Sequence, residues 1–213
     1  MKLPQLIKAT FLERLNRFVG LVSVCGQEYT AYIRNTGRLR ELLFKGNTVY
    51  LSTKTGKHPF EILLIDYRGF LVCIDSHMAP KLYLEHAKTQ ATFEPRFGNK
   101  RFDLLMEGRP VEVKSVNLVK GYRALFPDAP TKRGKEHIEK LIQLSREGYK
   151  PLIVFVVQRE DARVFSPNWE VDPAFSRALM KYVELGLEVM AFRCLVSLEE
   201  IKIKDEIPVE VEP

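Results

Sequence analysis

Cysteine is scarce: Cys25, Cys73 and Cys194 are the only three in 213 residues, and they lie far apart. An odd, scattered set excludes a disulfide framework and a CxxC zinc spacing. It points to a reducing, cytoplasmic setting in which all three are buried apolar side chains. No apolar run approaches the length that crosses a bilayer, so no membrane partner is expected. The first twenty residues carry Lys2, Lys8, Arg14 and Arg17, with no unbroken apolar segment before a small-residue cleavage site. They do not read as a signal peptide. Helix-turn-helix and zinc-finger patterns are missing, which leaves no familiar device for reading a base sequence in the major groove. Histidine is rare, and His77 and His86 stand too isolated to suggest metal ligands. Asparagine and glutamine are few beside lysine and glutamate, a bias of high-temperature proteins.

The apolar fraction, 46%, is enough for a packed core, and the length suits one large domain or two small ones. The net charge is +6 and unevenly spread: residues 1–75 hold 11 Lys+Arg against 6 Asp+Glu, whereas residues 199–213 hold 2 against 6. The body of the chain is therefore more basic than the total, which makes a polyanion the favoured class of partner.

Residues 10–75 read as five short strands. Phe18–Val24, Gln27–Ile33, Thr48–Ser52, Phe60–Tyr67 and Phe70–Asp75 are separated by turn signals at Gly26, Asn35-Thr36-Gly37, Gly46-Asn47, Gly56 and Gly69. Arg38 to Phe44 suits one or two helical turns. Five strands in so short a span predict a small OB-like β-barrel over residues 1–76. Such barrels bind single strands on aromatic platforms set in a basic groove. Tyr29, Tyr32, Tyr50 and Tyr67 are candidate platforms, and Arg34, Arg38, Arg40 and Lys54 are candidate nucleic-acid contacts. The same tyrosines also read as barrel filling, and the same basic residues as a solvated face.

Residues 77–213 read as an α/β domain, giving an α+β chain overall. A helix is expected from near Pro80 to Lys88, a second from an N-cap at Thr131 to Arg146, and a third over Pro173–Leu185. Pro151–Val157 is an unbroken apolar run, as in a strand covered on both faces. Leu187–Cys194 is a further strand, and Ile201 onward reads as an acidic tail without a packing pattern. Between the first two helices, Phe102–Val116 reads as a β-hairpin about Glu107-Gly108-Arg109-Pro110. Centred on Gly108-Arg109, it pairs residues whose numbers sum to 217, so Asp103 is expected opposite Lys114 and Leu105 opposite Glu112. Side chains alternate along a strand, so Asp103, Glu112 and Lys114 share one face. Two carboxylates at this spacing suit Mg²⁺ or Mn²⁺, and an adjacent lysine suits orienting water or offsetting charge on phosphorus. The bland reading is a solvated hairpin face with a cross-strand ion pair worth well under ~1 kcal/mol. Arg133 and His137 are one turn apart on the following helix, suited to a phosphate or a proton-transfer partner.

Asp103 followed by Glu112-Val113-Lys114 resembles the PD-(D/E)xK nuclease core. Nucleases of this type often add a carboxylate from a preceding helix, a place that Glu85 or Glu94 could fill. A wider resemblance runs through Asn35-Thr36-Gly37-Arg38, Arg101-Phe102-Asp103, Val111–Val116, Phe126-Pro127-Asp128-Ala129-Pro130-Thr131-Lys132-Arg133-Gly134, His137 and Phe155–Arg159. These segments are similar to the sugar fermentation stimulation protein (SfsA) family. The resemblance implies an N-terminal OB-like domain, a C-terminal PD-(D/E)xK restriction-endonuclease-like domain and DNA binding. It implies a catalytic set of Asp103, Glu112 and Lys114 with Gln158 in support, and Mg²⁺ or Mn²⁺ on Asp103 and Glu112. The expected partner is DNA, single- or double-stranded, with a homodimer allowed for. Two functions compete: a divalent-metal-dependent nuclease, and a non-catalytic DNA-binding regulator of sugar metabolism that keeps a nuclease fold.

Overall fold

The computed structural model describes residues 1–213. Its first strand, β1 (Ile7–Asn16), precedes the first one expected; Glu13 and Arg14 interrupt the apolar alternation that would mark it. With β2 (Val19–Val24), β3 (Gln27–Tyr32), β4 (Thr48–Thr53) and β5 (Phe60–Tyr67) it forms a ring in the order β3-β2-β1-β4-β5. Parallel pairing of Ala31 and Tyr32 with Phe60 and Glu61 closes the ring. The barrel is thus five-stranded, as expected, but with a different membership. β6 (Phe70–Cys73) pairs only with β5 and lies outside the ring. The segment after β3 makes a single turn, in which the Leu42 and Leu43 amides donate to the Leu39 carbonyl. All three leucines plug the barrel core beside Phe11, Val22 and Val49.

α1 (Met78–Ala87) begins two residues before Pro80. The proline falls in the first turn, where a missing N–H breaks no helical bond. The main sheet of the second domain is built from β7 (Thr92–Phe93), β10 (Leu104–Met106), β11 (Arg109–Val116), β14 (Leu152–Val157), β16 (Glu188–Val196) and β17 (Ile201–Ile207). A small hairpin, β8 (Arg96–Phe97) and β9 (Lys100–Arg101), stands apart. β12 (Leu118–Lys120), β13 (Arg123–Phe126) and β15 (Val164–Pro167) form a separate three-stranded sheet. β11 and β14 are parallel and linked across α2 (Lys132–Arg146), the expected βαβ unit. Thr131 caps α2 by accepting from the Gly134 amide at 3.0 Å. α3 (Pro173–Glu184) is capped likewise by Asp172.

The apolar run in β14 is explained by burial on both faces. Leu152, Val154 and Val156 pack with α1, the barrel residues Leu63 and Leu64, and Cys73 of β6. Ile153, Phe155 and Val157 face α2, α3 and the smaller sheet. The two domains therefore share a core.

The acidic segment from Ile201 is a correction. It is β17, antiparallel to β16, with Arg193 holding Asp205. Ile201, Ile203 and Ile207 supply a period-two apolar side between charges. Residues 1–3 lie against it: Leu3 donates to the Glu199 carbonyl, Ile201 donates to the Met1 carbonyl, and Lys2 bridges Glu200.

A second seam joins the domains at Asn35, whose amide donates to the Ile74 carbonyl and the Asn117 side chain, both at 2.9 Å. Next to it, Gly37 meets the Asp128 carboxylate so closely that an added Cβ would overlap its oxygens. Asp128 also accepts from the Leu39 amide. Gly37→Ala is expected to cost about 1–3 kcal/mol by forcing Asp128 off this bond, and thermal melting measures it. Asp128→Gly in the same chain should recover part of the loss.

Candidate functional site

The β10–β11 turn sits one residue earlier than expected. Glu107 and Gly108 adopt the positive φ angles of a two-residue hairpin turn, 51° and 78°. Leu104 pairs with Val111 and Leu105 with Pro110, a register sum of 215 in place of 217. The two-residue shift preserves which side chains share a face. Carried one pair further, it brings Asp103 level with Glu112, where Lys114 was expected. The ladder stops at Leu104, and Asp103 turns its carboxylate to the next free amide, accepting from Val113 at 2.7 Å.

Glu112 projects from β11 toward α2 and is 3% exposed. Its Oε1 is held by Lys114 and by His137, whose Nδ1 lies 2.6 Å away. His137 Nε2 faces the Arg133 guanidinium at 3.4 Å. Arginine only donates, so Nε2 accepts and the Nδ1 proton goes to Glu112. The Phe102 ring packs edge-on against the imidazole. Glu112 Oε2 has no hydrogen-bond partner, an uncommon state for a buried carboxylate oxygen.

These contacts polarise the two carboxyls in opposite senses. Burial pushes Asp103 up to about 7, and the Glu112 charge adds to the push against the pull of Lys114 and the Val113 amide. Burial also raises Glu112, but Lys114 and His137 together outweigh it and hold that carboxyl below its ordinary value. The pair thus presents one firmly ionised carboxylate beside one that exchanges a proton near neutrality. Asp103, Lys114 and Arg133 line a cleft of about 290 Å³ between the domains, closed on the barrel side by Thr36, Gly37 and Ser76.

The other expected site residues are distributed differently. Gln158 is fully buried, bonded to Ser115 and to the Asp75 carbonyl, and so ties the β14 end to the barrel connector. His137 is 4% exposed, which places it behind Glu112. It shares an i, i+4, i+7 stripe with the buried Leu141 and Leu144, a signal readable in the sequence. Arg34 is tied up by Glu61 at 2.8 Å and Asp75 at 3.6 Å. Arg38, Arg40 and Arg133 are exposed. Lys54 lies 4.1 Å above the Tyr32 ring, which stacks on Phe18. Of the other candidate platforms, Tyr67 is covered by Arg159 and Tyr50 packs into the inter-domain core. The two further acids eligible for a metal are engaged: Glu85 binds the Met1 ammonium, and Glu94, whose amide donates to the Asp103 carbonyl, binds Arg101. No cluster of three or more His, Cys, Asp or Glu has metal-holding geometry. No helix is long and apolar enough to cross a membrane.

Comparison with known proteins matches this arrangement along the chain. Residues 12–74 match the family model described as SfsA N-terminal OB domain, and residues 72–200 match the one described as sugar fermentation stimulation protein RE domain. A sugar fermentation stimulation protein homolog from Aquifex aeolicus is 52% identical over 209 residues, covering 95% of this chain and 97% of the relative. One from Desulforamulus reducens is 41% identical, covering 98% and 94%. The solved structure of Pyrococcus furiosus SfsA in complex with Ca²⁺ is similar at a TM-score of 0.88 and 33% identity, covering 99% of this chain and 98% of that one. Matches of this identity and coverage in both domains establish that the chain belongs to the sugar fermentation stimulation protein (SfsA) family.

Proposed function

We propose that the protein is a DNA-binding, divalent-metal-dependent phosphodiesterase whose metal site is Asp103 and Glu112. The observation that carries the reading is the buried Glu112 carboxylate with an unpartnered Oε2, beside the exchangeable carboxyl of Asp103. A buried anionic oxygen without a donor fits a cation that supplies the missing positive charge. Mg²⁺ or Mn²⁺ would supply Lewis acidity toward a phosphoryl oxygen and lower the pKa of a bound water. The Pyrococcus relative forms a complex with Ca²⁺, which supports divalent-cation binding as part of this reading.

The chain's own groups divide the remaining work. His137 fixes the Glu112 carboxylate through Oε1 and leaves Oε2 free. Lys114 neutralises that carboxylate before a cation arrives and is placed to orient water or meet charge developing on phosphate. Arg133, exposed at the cleft edge, offers a planar guanidinium to a phosphate. On the barrel side, Arg38, Arg40 and Lys54 are the cations left for the backbone of a bound strand, with Phe18 and Tyr32 for its bases. Free cysteines fit a reducing, cytoplasmic compartment.

The test pairs calorimetric titration of Mg²⁺, Mn²⁺ and Ca²⁺ with incubation on single-stranded, duplex and branched DNA. Lys114→Met is the informative variant. Cation binding should persist, and cleavage should fall about 10²–10³-fold, the scale of losing one group that stabilises developing charge. DNA binding without metal-dependent cleavage of any of these substrates would leave the non-catalytic regulator as the reading.

A further inference from the structure

A groove of about 740 Å³ runs between the β8–β9 hairpin and the first turns of α2. No apolar side chain lines it. Its walls carry Arg96, Lys100, Arg101 and Arg133 against Glu94 and Glu136, an excess of two positive charges. Arg133 lines this groove and also the inter-domain cleft, so the two spaces meet at that residue.

The hairpin is held in place. Lys100 on β9 forms an ion pair with Glu136 of α2, which ties the walls together. Phe97 packs on Phe102 and Tyr149 at ring separations of 5.8 and 5.4 Å. Arg101 is matched to Glu94, whereas Arg96 has no carboxylate within ion-pair distance and Arg133 meets only His137. Both free guanidinium groups are exposed.

We propose that this groove seats the sugar–phosphate backbone of one DNA strand where it leaves the Asp103–Lys114 cleft. The inference rests on the reading of that cleft as a phosphodiesterase site and adds the surface that holds the substrate beyond it. The absence of apolar lining argues against stacked bases or a peptide side chain. Guanidinium groups on both walls suit phosphates, which arginine recognises through paired N–H donors. The lining acids leave the seat moderately positive, so that a strand can slide.

Arg96→Ala alters one exposed side chain that has no carboxylate partner. Anisotropy of a fluorescein-labelled oligothymidylate, with Ca²⁺ present, reads its effect from ~50 to ~200 mM salt. Affinity should fall about tenfold. The slope of log K against log salt should shrink by about 0.7, one single-strand phosphate contact. Ca²⁺ affinity by calorimetry should be unchanged. A photo-crosslinker on Asn99→Cys, made with Cys25→Ser because Cys25 is the one exposed thiol, should attach to the same oligonucleotide. An unaltered slope and affinity, or an effect confined to blunt duplex, overturns the groove while leaving the cleft reading intact. Failure of the unmodified protein to bind any DNA overturns the cleft reading and the groove with it.

Discussion

Glu112→Gln is expected to remove divalent-cation binding and DNA cleavage while leaving the protein folded. The glutamine keeps the shape of the side chain, and its carbonyl oxygen still accepts from His137 and Lys114. It loses the charge that a cation requires. Groups that merely orient a metal ligand typically contribute tenfold to 100-fold in metal affinity. A direct ligand should therefore contribute at least about 100-fold, and His137→Gln should fall within that lower range because it acts through Glu112. Without metal, DNA affinity should hold or rise, since a negative charge facing phosphate has gone. Calorimetry, cleavage and a thermal melt on one preparation read all three. Unfolding of Glu112→Gln would assign the carboxylate to structure.

Asp103→Asn has a large expected effect of the opposite sign on stability. The Asp103 carboxyl titrates near 7 in the folded protein and near 3.8 when unfolded. Below both values it is protonated in either state and contributes no pH dependence. Between them the unfolded chain gives up its proton while the folded protein keeps one, so stability falls as pH rises from about 4 to about 7. Above that the loss is complete, on the order of 4 kcal/mol at 1.36 kcal/mol per unit. The amide of the Asp103→Asn variant does not titrate and carries no such loss. The substitution should raise the melting temperature of the metal-free protein at pH 8 by roughly 5–15 °C and change it little near pH 4. Saturating Mg²⁺ should narrow the gap, because only the native carboxylate gains from the cation. Equal melting temperatures at pH 8 without metal would show that Asp103 is better solvated than its surroundings indicate.

The sequence made legible whatever is written in local chemistry. The Thr131 cap and the stripe Ile138, Leu141, Ile142 define α2, and the run Leu152–Val157 defines a strand buried on both faces. The acidic pair and Lys114 could be assigned to one face because strand alternation survives a two-residue error in register. Less legible was whatever depends on distant partners. The β1 strand hides its pattern behind Glu13 and Arg14. Arg34 looked available until Glu61 and Asp75 were brought to it from two other segments. Gln158 enters the site set through the family resemblance, and the barrel connector packs over it. β17 and His137 were readable, through Ile201, Ile203 and Ile207 and through the spacing to Leu141, but the charge around each obscured the period.

The pairing of residues 1–3 with β17 has a mechanical consequence. The barrel is fastened to its neighbour at two separated edges, once where the chain crosses into α1 and once where its leading residues pair with Glu199, Glu200 and Ile201 at the start of β17. A body attached along one edge can swing, whereas a body attached along two cannot open without breaking one of them. The space between the domains is therefore a fixed slot. If the proposed phosphodiesterase activity holds, a strand would have to be threaded through it lengthwise, and turnover should then depend on strand length and on free ends more than on any gate.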